Sequence, residues 1–147
     1  MYTRILVTLE NSRTDDAIIA HATALARHCK ASLLLIHVAD GFVARNIEQL
    51  DLRESEEIRN DRQYLDDVAA RLAAEGLSVD AVLAIGDPAK EILAAAEREK
   101  CDLIAMGTHG HRFVKDIVLG SVANEVRHGS MVPVLLLRSP RVAHTPT

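Results

Sequence analysis

Residues 107–121 read GTHGHRFVKDIVLGS and carry the most chemically suggestive spacing in the chain. An apolar run, Leu103-Ile104-Ala105-Met106, leads into Gly107; Gly110 follows after two residues, and Gly120-Ser121 after nine more. A strand that ends in a glycine loop and re-enters a helix through Gly-Ser is suited to hold phosphate. Free N–H groups at a helix start point outward, and the helix dipole favours negative charge there. Two common phosphate motifs are excluded. A P-loop needs Lys after its last glycine, and here Gly120 is followed by Ser121-Val122. A dinucleotide fingerprint needs its glycines directly after the first strand, where this chain has Glu10-Asn11-Ser12.

The same loop raises a metal question, because His109 and His111 flank Gly110. An H-x-H pair could hold zinc or copper, but no Cys or carboxylate cluster with ligand spacing accompanies it. Loop histidines beside a phosphate are the better reading, and no metal site is expected. His21, His28 and His128 read as helix-surface residues or partners of helix C-termini. No Ser-His-Asp arrangement or pair of catalytic carboxylates can be assembled, so no catalytic residue is assigned.

The elements that must position this loop follow from the alternation of short β-branched or Leu-rich runs with longer helical patterns. Such alternation predicts βαβ units and a parallel sheet. Strands are predicted over 5–9, 32–38, 78–85, 102–106 and 132–137. Helices are predicted from a cap at Ser12 or Thr14 to about 28, over 52–75, from Asp87 with Pro88 in the first turn, and over 121–128. Ile18, Ala22, Leu25 and Cys29 form the first helix's apolar stripe, and Gly76 stops the second helix. The charges over 51–67 alternate in sign and read as a solvated helix face. Residues 40–50 form a connection of undetermined shape. The fold class is therefore α/β, a doubly wound five-stranded parallel sheet with helices on both faces. Ligands bind such sheets beyond the carboxyl ends of the strands, where the strand order reverses. The loops after strands one and four flank that crevice if those strands are neighbours.

Length and composition agree. The 147 residues fit one domain, over 1–138, with a tail over 139–147 that is expected to be mobile. With two Tyr, two Phe and no Trp, the core must be built from Val, Ile, Leu and Ala, a palette suited to parallel strands under Ala-rich helices. A net charge of −4 gives no support to nucleic-acid binding. Cys29 and Cys101 sit inside apolar patterns and read as buried, reduced thiols. No apolar run approaches the roughly 18–20 residues needed to cross a bilayer, and the N-terminus lacks signal-peptide architecture. A soluble cytoplasmic protein is expected.

The spacing Gly107-x2-Gly110-x9-Gly120-Ser121, placed after strand four, resembles the nucleotide-binding motif of the universal stress protein family. The similarity runs from Ile5 to Leu137. It includes the opening ILVTLENS, where the family usually reads close to I-L-V-P-V-D-G-S, His37-Val38 at the end of strand two, and the closing Val132-Pro133-Val134. The resemblance implies a Rossmann-like domain akin to adenine nucleotide α-hydrolases, and the branch of the family that binds ATP. Physical roles fit. Gly107 and Gly110 would allow loop angles closed to other residues, and Gly120 would let the helix start approach the ligand. Ser121 would cap that helix and donate to a phosphate oxygen. The amides of Val122 and Ala123 would complete the anion site, with His109, His111 and Arg112 beside it. By the same resemblance Thr8, Leu9 and Glu10 line the adenine and ribose side, Val38 closes the base pocket, and Met106 packs nearby. Thr8, Glu10 and Asn11 depart from the family's usual Pro, Asp and Gly.

The function expected is that of a stress-response ATP-binding protein acting as a nucleotide-dependent regulator or interaction module. AMP or ADP are alternative ligands. Magnesium could accompany ATP, with Glu10 or a phosphate oxygen as ligand. Two other readings stay open: a nucleotide-free interaction module of the same fold, and a slow ATP hydrolase or adenylating enzyme. Strand 132–137 is apolar with Pro133 near its start, as befits an edge. Pairing with a second copy would cover it, so a homodimer is expected, with an unidentified protein partner as a further candidate.

Overall fold

Nine elements alternate along the chain in a computed structural model that describes residues 1–40, 52–108 and 114–138. They are β1 (Arg4–Thr8), α1 (Asp15–Cys29), β2 (Ser32–Asp40), α2 (Leu52–Ala74), β3 (Val79–Gly86), α3 (Pro88–Arg98), β4 (Leu103–Thr108), α4 (Val114–Gly129) and β5 (Val134–Arg138). All pairings are parallel, and the sheet order is β3-β2-β1-β4-β5. The expected tail, 139–147, lies outside the described residues.

The period-two alternation of a strand divides its side chains between two cores. Ile5 and Val7 of β1, with Leu33 and Leu35 of β2, pack against Ile18, Ala22, Leu65, Val68 and Leu72 of α1 and α2. Leu6, Leu34 and Ile36 point the other way, against Ala89, Ile92 and Ala95 of α3 and Ala123 and Val126 of α4. Both faces of the central strands are thus covered, which is why their sequences are nearly continuous apolar runs. Ile5 and Leu6 are fully buried, and each such side chain contributes about 2 kcal/mol of hydrophobic stabilisation.

Local signals place the helix ends. The Asp87 carboxylate accepts from the Lys90 amide at 3.1 Å, with Pro88 in the first turn. Gly76 follows α2 with a φ of 94°, a conformation that favours glycine. The start of α1 differs from expectation. Thr14 occupies the cap position without a side-chain cap hydrogen bond. The polar work there is done by Asp15, for a reason given below. Cys101 is buried and Cys29 half-buried, both free, so the expectation of two buried thiols holds fully only for Cys101. Burial pushes the Cys101 thiol up.

Asp102, just ahead of β4, ties that strand to the chain's start. Its carboxylate accepts from the Thr3 amide at 2.9 Å, the Arg4 amide at 3.0 Å and the Thr3 hydroxyl at 3.0 Å. Burial works to raise this carboxyl, but the donors from Arg4 and Thr3 outweigh it and hold it below the usual carboxylate range. A group depressed on folding stabilises above its unfolded pKa, and that contribution is lost as pH falls through the folded value. Urea denaturation of Asp102→Asn is therefore expected to show lower stability than the parent at neutral pH. Its loss of stability below about pH 4 should also be shallower.

Candidate functional site

The chain runs β1 to β2 to β3 in one direction across the sheet, then returns to the far side of β1 for β4 and β5. β1 and β4 are neighbours, with Ile5 opposite Leu103 and Val7 opposite Ala105. Their carboxyl ends therefore form the topological switch point at which such sheets bind ligands. The two loops singled out in the sequence leave the sheet there.

On the β4 side, Val38, Met106, Val122 and Ala123 share one apolar cluster, with Met106 and Ala123 buried. The structure thus gathers the side chains of four of the expected residues on the sheet face that α3 and α4 cover. His109, Gly110, His111 and Arg112 lie outside the described residues. Gly107 is still part of β4, paired with Leu137, and carries no positive φ. A Cβ there would meet Ile18 only at ordinary contact distance, 3.8 Å. The expectation that Gly107 supplies unusual loop angles is thus overturned, because the sheet continues through it.

A second correction concerns the helix start. α4 is described from Val114, so the helix is already under way seven residues before Ser121. The unpaired amides of a helix are its first four, and those of residues 120–123 are not among them. Ser121 is not a cap, and the amides of Gly120, Ser121, Val122 and Ala123 fall inside the hydrogen-bonded run. Gly120 and the Ser121 side chain are nonetheless exposed.

On the β1 side the site is densely organised. Thr8 and Glu10 are half-buried. Leu9 is buried in the core under α1 and α2, its amide donates to the Ile36 carbonyl at 2.8 Å, and its carbonyl accepts from His37 Nδ1 at 2.8 Å. Leu9 shapes the crevice wall rather than offering a side chain to it. Asn11 has a φ of 63°, a left-handed conformation that Asn tolerates better than most residues. Asn is therefore suited to this turn.

Asp15 holds this turn. Its carboxylate is 2% exposed and accepts from the amides of Glu10 at 2.9 Å, Asn11 at 2.8 Å and Ser12 at 3.3 Å. The Tyr64 hydroxyl of α2 donates to it at 2.6 Å. Burial, then the bond to Asp15, raises the Tyr64 hydroxyl's pKa far above that of a free phenol. One helical turn earlier, Asp61 accepts from Asn11 Nδ2 at 3.0 Å and pairs with His37 Nε2 at 3.1 Å. Asp61 and its partner are 20% and 14% exposed. The solvated face read over 51–67 thus has an exception at Asp61.

Sequence reasoning missed Asp15, Asp61 and Tyr64. Asp15 looked like any first-turn acid, and the other two lie about fifty residues away in sequence. The only local signal was Tyr64, one of the few aromatics, set at i+3 from an acid. His21, His28 and His128 are exposed on helices, as expected. Among the described residues no group of three His, Cys, Asp or Glu side chains could hold a metal. No described helix is long and apolar enough to cross a membrane. A cavity of about 590 Å³ lies at the opposite end of the sheet, lined by Leu93, Cys101, Ile104 and Val132 among others.

Comparison with known proteins accords with this geometry. A family model described as the universal stress protein family matches residues 1–138. Universal stress protein MJ0531 of Methanocaldococcus jannaschii is 31% identical over 96% of this chain and 85% of its own length. MJ0577 of the same organism is 28% identical over 94% and 96% of the two chains. Its solved structure superposes with a TM-score of 0.79 over 95% of this chain and 98% of that one. The fold is also shared with a universal stress protein solved in complex with cAMP (TM-score 0.70, 20% identity, 95% and 98% covered). It is shared too with one from Archaeoglobus fulgidus in complex with dAMP (TM-score 0.68, 20% identity, 92% and 97% covered).

Proposed function

Because this chain belongs to the universal stress protein family, we propose that it binds an adenine nucleotide at the β1–β4 switch point and acts as a nucleotide-dependent regulator or interaction module. The observation that carries the reading is the convergence of two elements at one end of the sheet. One is the organised turn after β1. The other is the end of β4 at Gly107 and Thr108, from which the sequence continues into the spaced glycines. Relatives of this fold in complex with cAMP and dAMP support the ligand class. ATP is the proposed physiological ligand, with AMP or ADP as lesser candidates, and Mg²⁺ would be held by Glu10 together with phosphate oxygens.

The base would lie against Val38 and beside Thr8 and Glu10, with the phosphates turned toward Ser121, His109, His111 and Arg112. For the amides of residues 120–123 to meet a phosphate, α4 must begin at Gly120 in the bound state, which requires its first turns to open.

Heat-denatured protein should release an adenine nucleotide into the supernatant, or the refolded apoprotein should bind ATP in calorimetry. Finding neither would end the reading. A second reading, a nucleotide-free interaction module, is favoured by the internal position of the Ser121 amide and by the departures at Thr8 and Glu10. It predicts capture of a defined partner by protein that binds no nucleotide.

β5 is an edge strand, and Leu136 on it is 44% exposed. Pro133 sits just ahead of it, where its missing N–H costs no ladder bond. Antiparallel pairing of two β5 edges would bury this surface. Light scattering at micromolar concentration should give the mass of a dimer.

A further inference from the structure

Among the described residues, the turn after β1 is held by a side-chain relay that the nucleotide reading does not itself require. His37 stands between two groups that can only accept. Nδ1 lies 2.8 Å from the Leu9 carbonyl, and Nε2 lies 3.1 Å from the Asp61 carboxylate. A carbonyl oxygen has no proton to give, nor has an ionised carboxylate, so both bonds form only when both ring nitrogens carry hydrogen. The neutral ring supplies one N–H and leaves a lone pair facing an acceptor. Asp61 in turn takes the Asn11 side chain at 3.0 Å, and Tyr64, three residues along α2, takes the Asp15 carboxylate that binds amides 10–12.

We propose that His37, Asp61 and Tyr64 are positioning residues for the nucleotide site, and that the doubly protonated His37 ring makes nucleotide affinity fall as pH rises. The inference rests on the nucleotide reading above. Its logic is geometric. Leu9, Glu10 and Asn11 border the crevice, and the relay fixes the backbone on both sides of Glu10. Loss of one ring proton breaks either the tie to Leu9 or the tie from α2, and the turn that carries Glu10 loses its fixed place. Among the described residues, α2, the end of β1 and β3 contribute the groups around the ring. α2 contributes Asp61, with the Tyr64–Asp15 pair one turn on. The end of β1 contributes the Leu9 carbonyl. On β3 the residue in register is Leu83, which carries no charge. By linkage, a proton that favours the bound shape is taken up when nucleotide binds.

The test uses the full chain and ATP. Affinity is measured by calorimetry between about pH 5 and 8, the span in which imidazoles change charge, for the parent, His37→Gln and Asp61→Asn. Titration of the nucleotide's own phosphate is common to all three and cancels in the comparison. The parent is expected to lose about tenfold in affinity more than either variant as pH rises, which is the size of one charge-assisted hydrogen bond. Both variants should bind weakly at low pH. Identical pH profiles for parent and both variants would overturn the proposal. Ring ¹⁵N NMR of His37 separates the two levels of inference. A doubly protonated ring at low pH, with slow exchange of the Glu10–Ser12 amides that His37→Gln accelerates, upholds the relay itself. A neutral ring at low pH overturns it whether or not ATP binds. A parent that binds no adenine nucleotide at any pH overturns the coupling by removing the reading beneath it.

Discussion

Asp15→Ala is expected to lower the stability of the protein by about 3 kcal/mol and its melting temperature by about 10 °C. It should also remove measurable nucleotide binding. The carboxylate is 2% exposed and serves four donors: the amides of Glu10, Asn11 and Ser12 and the Tyr64 hydroxyl. Alanine leaves all four without their acceptor. Each buried orphan costs about 1–3 kcal/mol, but the turn is at the surface and can relax toward water, so the total falls well short of the sum. What relaxation recovers in stability it forfeits in geometry, since the turn that relaxes borders the crevice. Asp16→Ala is the control. Asp16 is the next residue, exposed, and its loss should cost only a few tenths of a kcal/mol through the helix dipole. Equal thermal melts for the two variants would show that Asp15 does not organise the turn.

Ser121→Ala is expected to weaken nucleotide binding by about 1–3 kcal/mol, and Gly120→Val by more, with little change in the melting temperature of either. The structure separates the two readouts. A Cβ at Gly120 meets no atom within 4 Å among the described residues. A loss of binding at an unchanged melting temperature then comes from the ligand. Ser121 is exposed, and losing its hydroxyl removes no packing. Calorimetry with ATP and a thermal melt on each variant check the pair. Parent-like binding by both would move the phosphates away from this turn.

The parts of the fold that were legible in the sequence share a physical cause. Asp87-Pro88 begins α3, Gly76 follows α2, and the stripe at Ile18 and Ala22 is buried because each depends on neighbours within one or two turns. The two-sided burial of β1 and β2 was legible for the same reason, since an uninterrupted apolar strand needs cover on both faces. Val38 and Met106 share one apolar cluster with Val122 and Ala123, because a parallel sheet leaves few places for the ends of β2 and β4.

The start of α4 was not legible, because Gly120-Ser121 has the local chemistry of a helix start and nothing nearby contradicts it. Gly107 was misjudged for a related reason. A glycine signals freedom in a sequence, yet pairing with Leu137 of β5 keeps it extended.

Taken alone, the order of residues determined the alternation of strands and helices, the composition of the two cores and the motif that points to phosphate. Those features are encoded in spacings of a few residues, where backbone geometry leaves little choice. Only the tertiary structure decided that β1 and β4 lie side by side, that Asp15 holds the turn after β1, and that Asp61 and Tyr64 reach that turn from α2. These are contacts between residues about fifty or a hundred positions apart. Such contacts exist because the strand order folds the chain back across β1, and no local pattern carries that information.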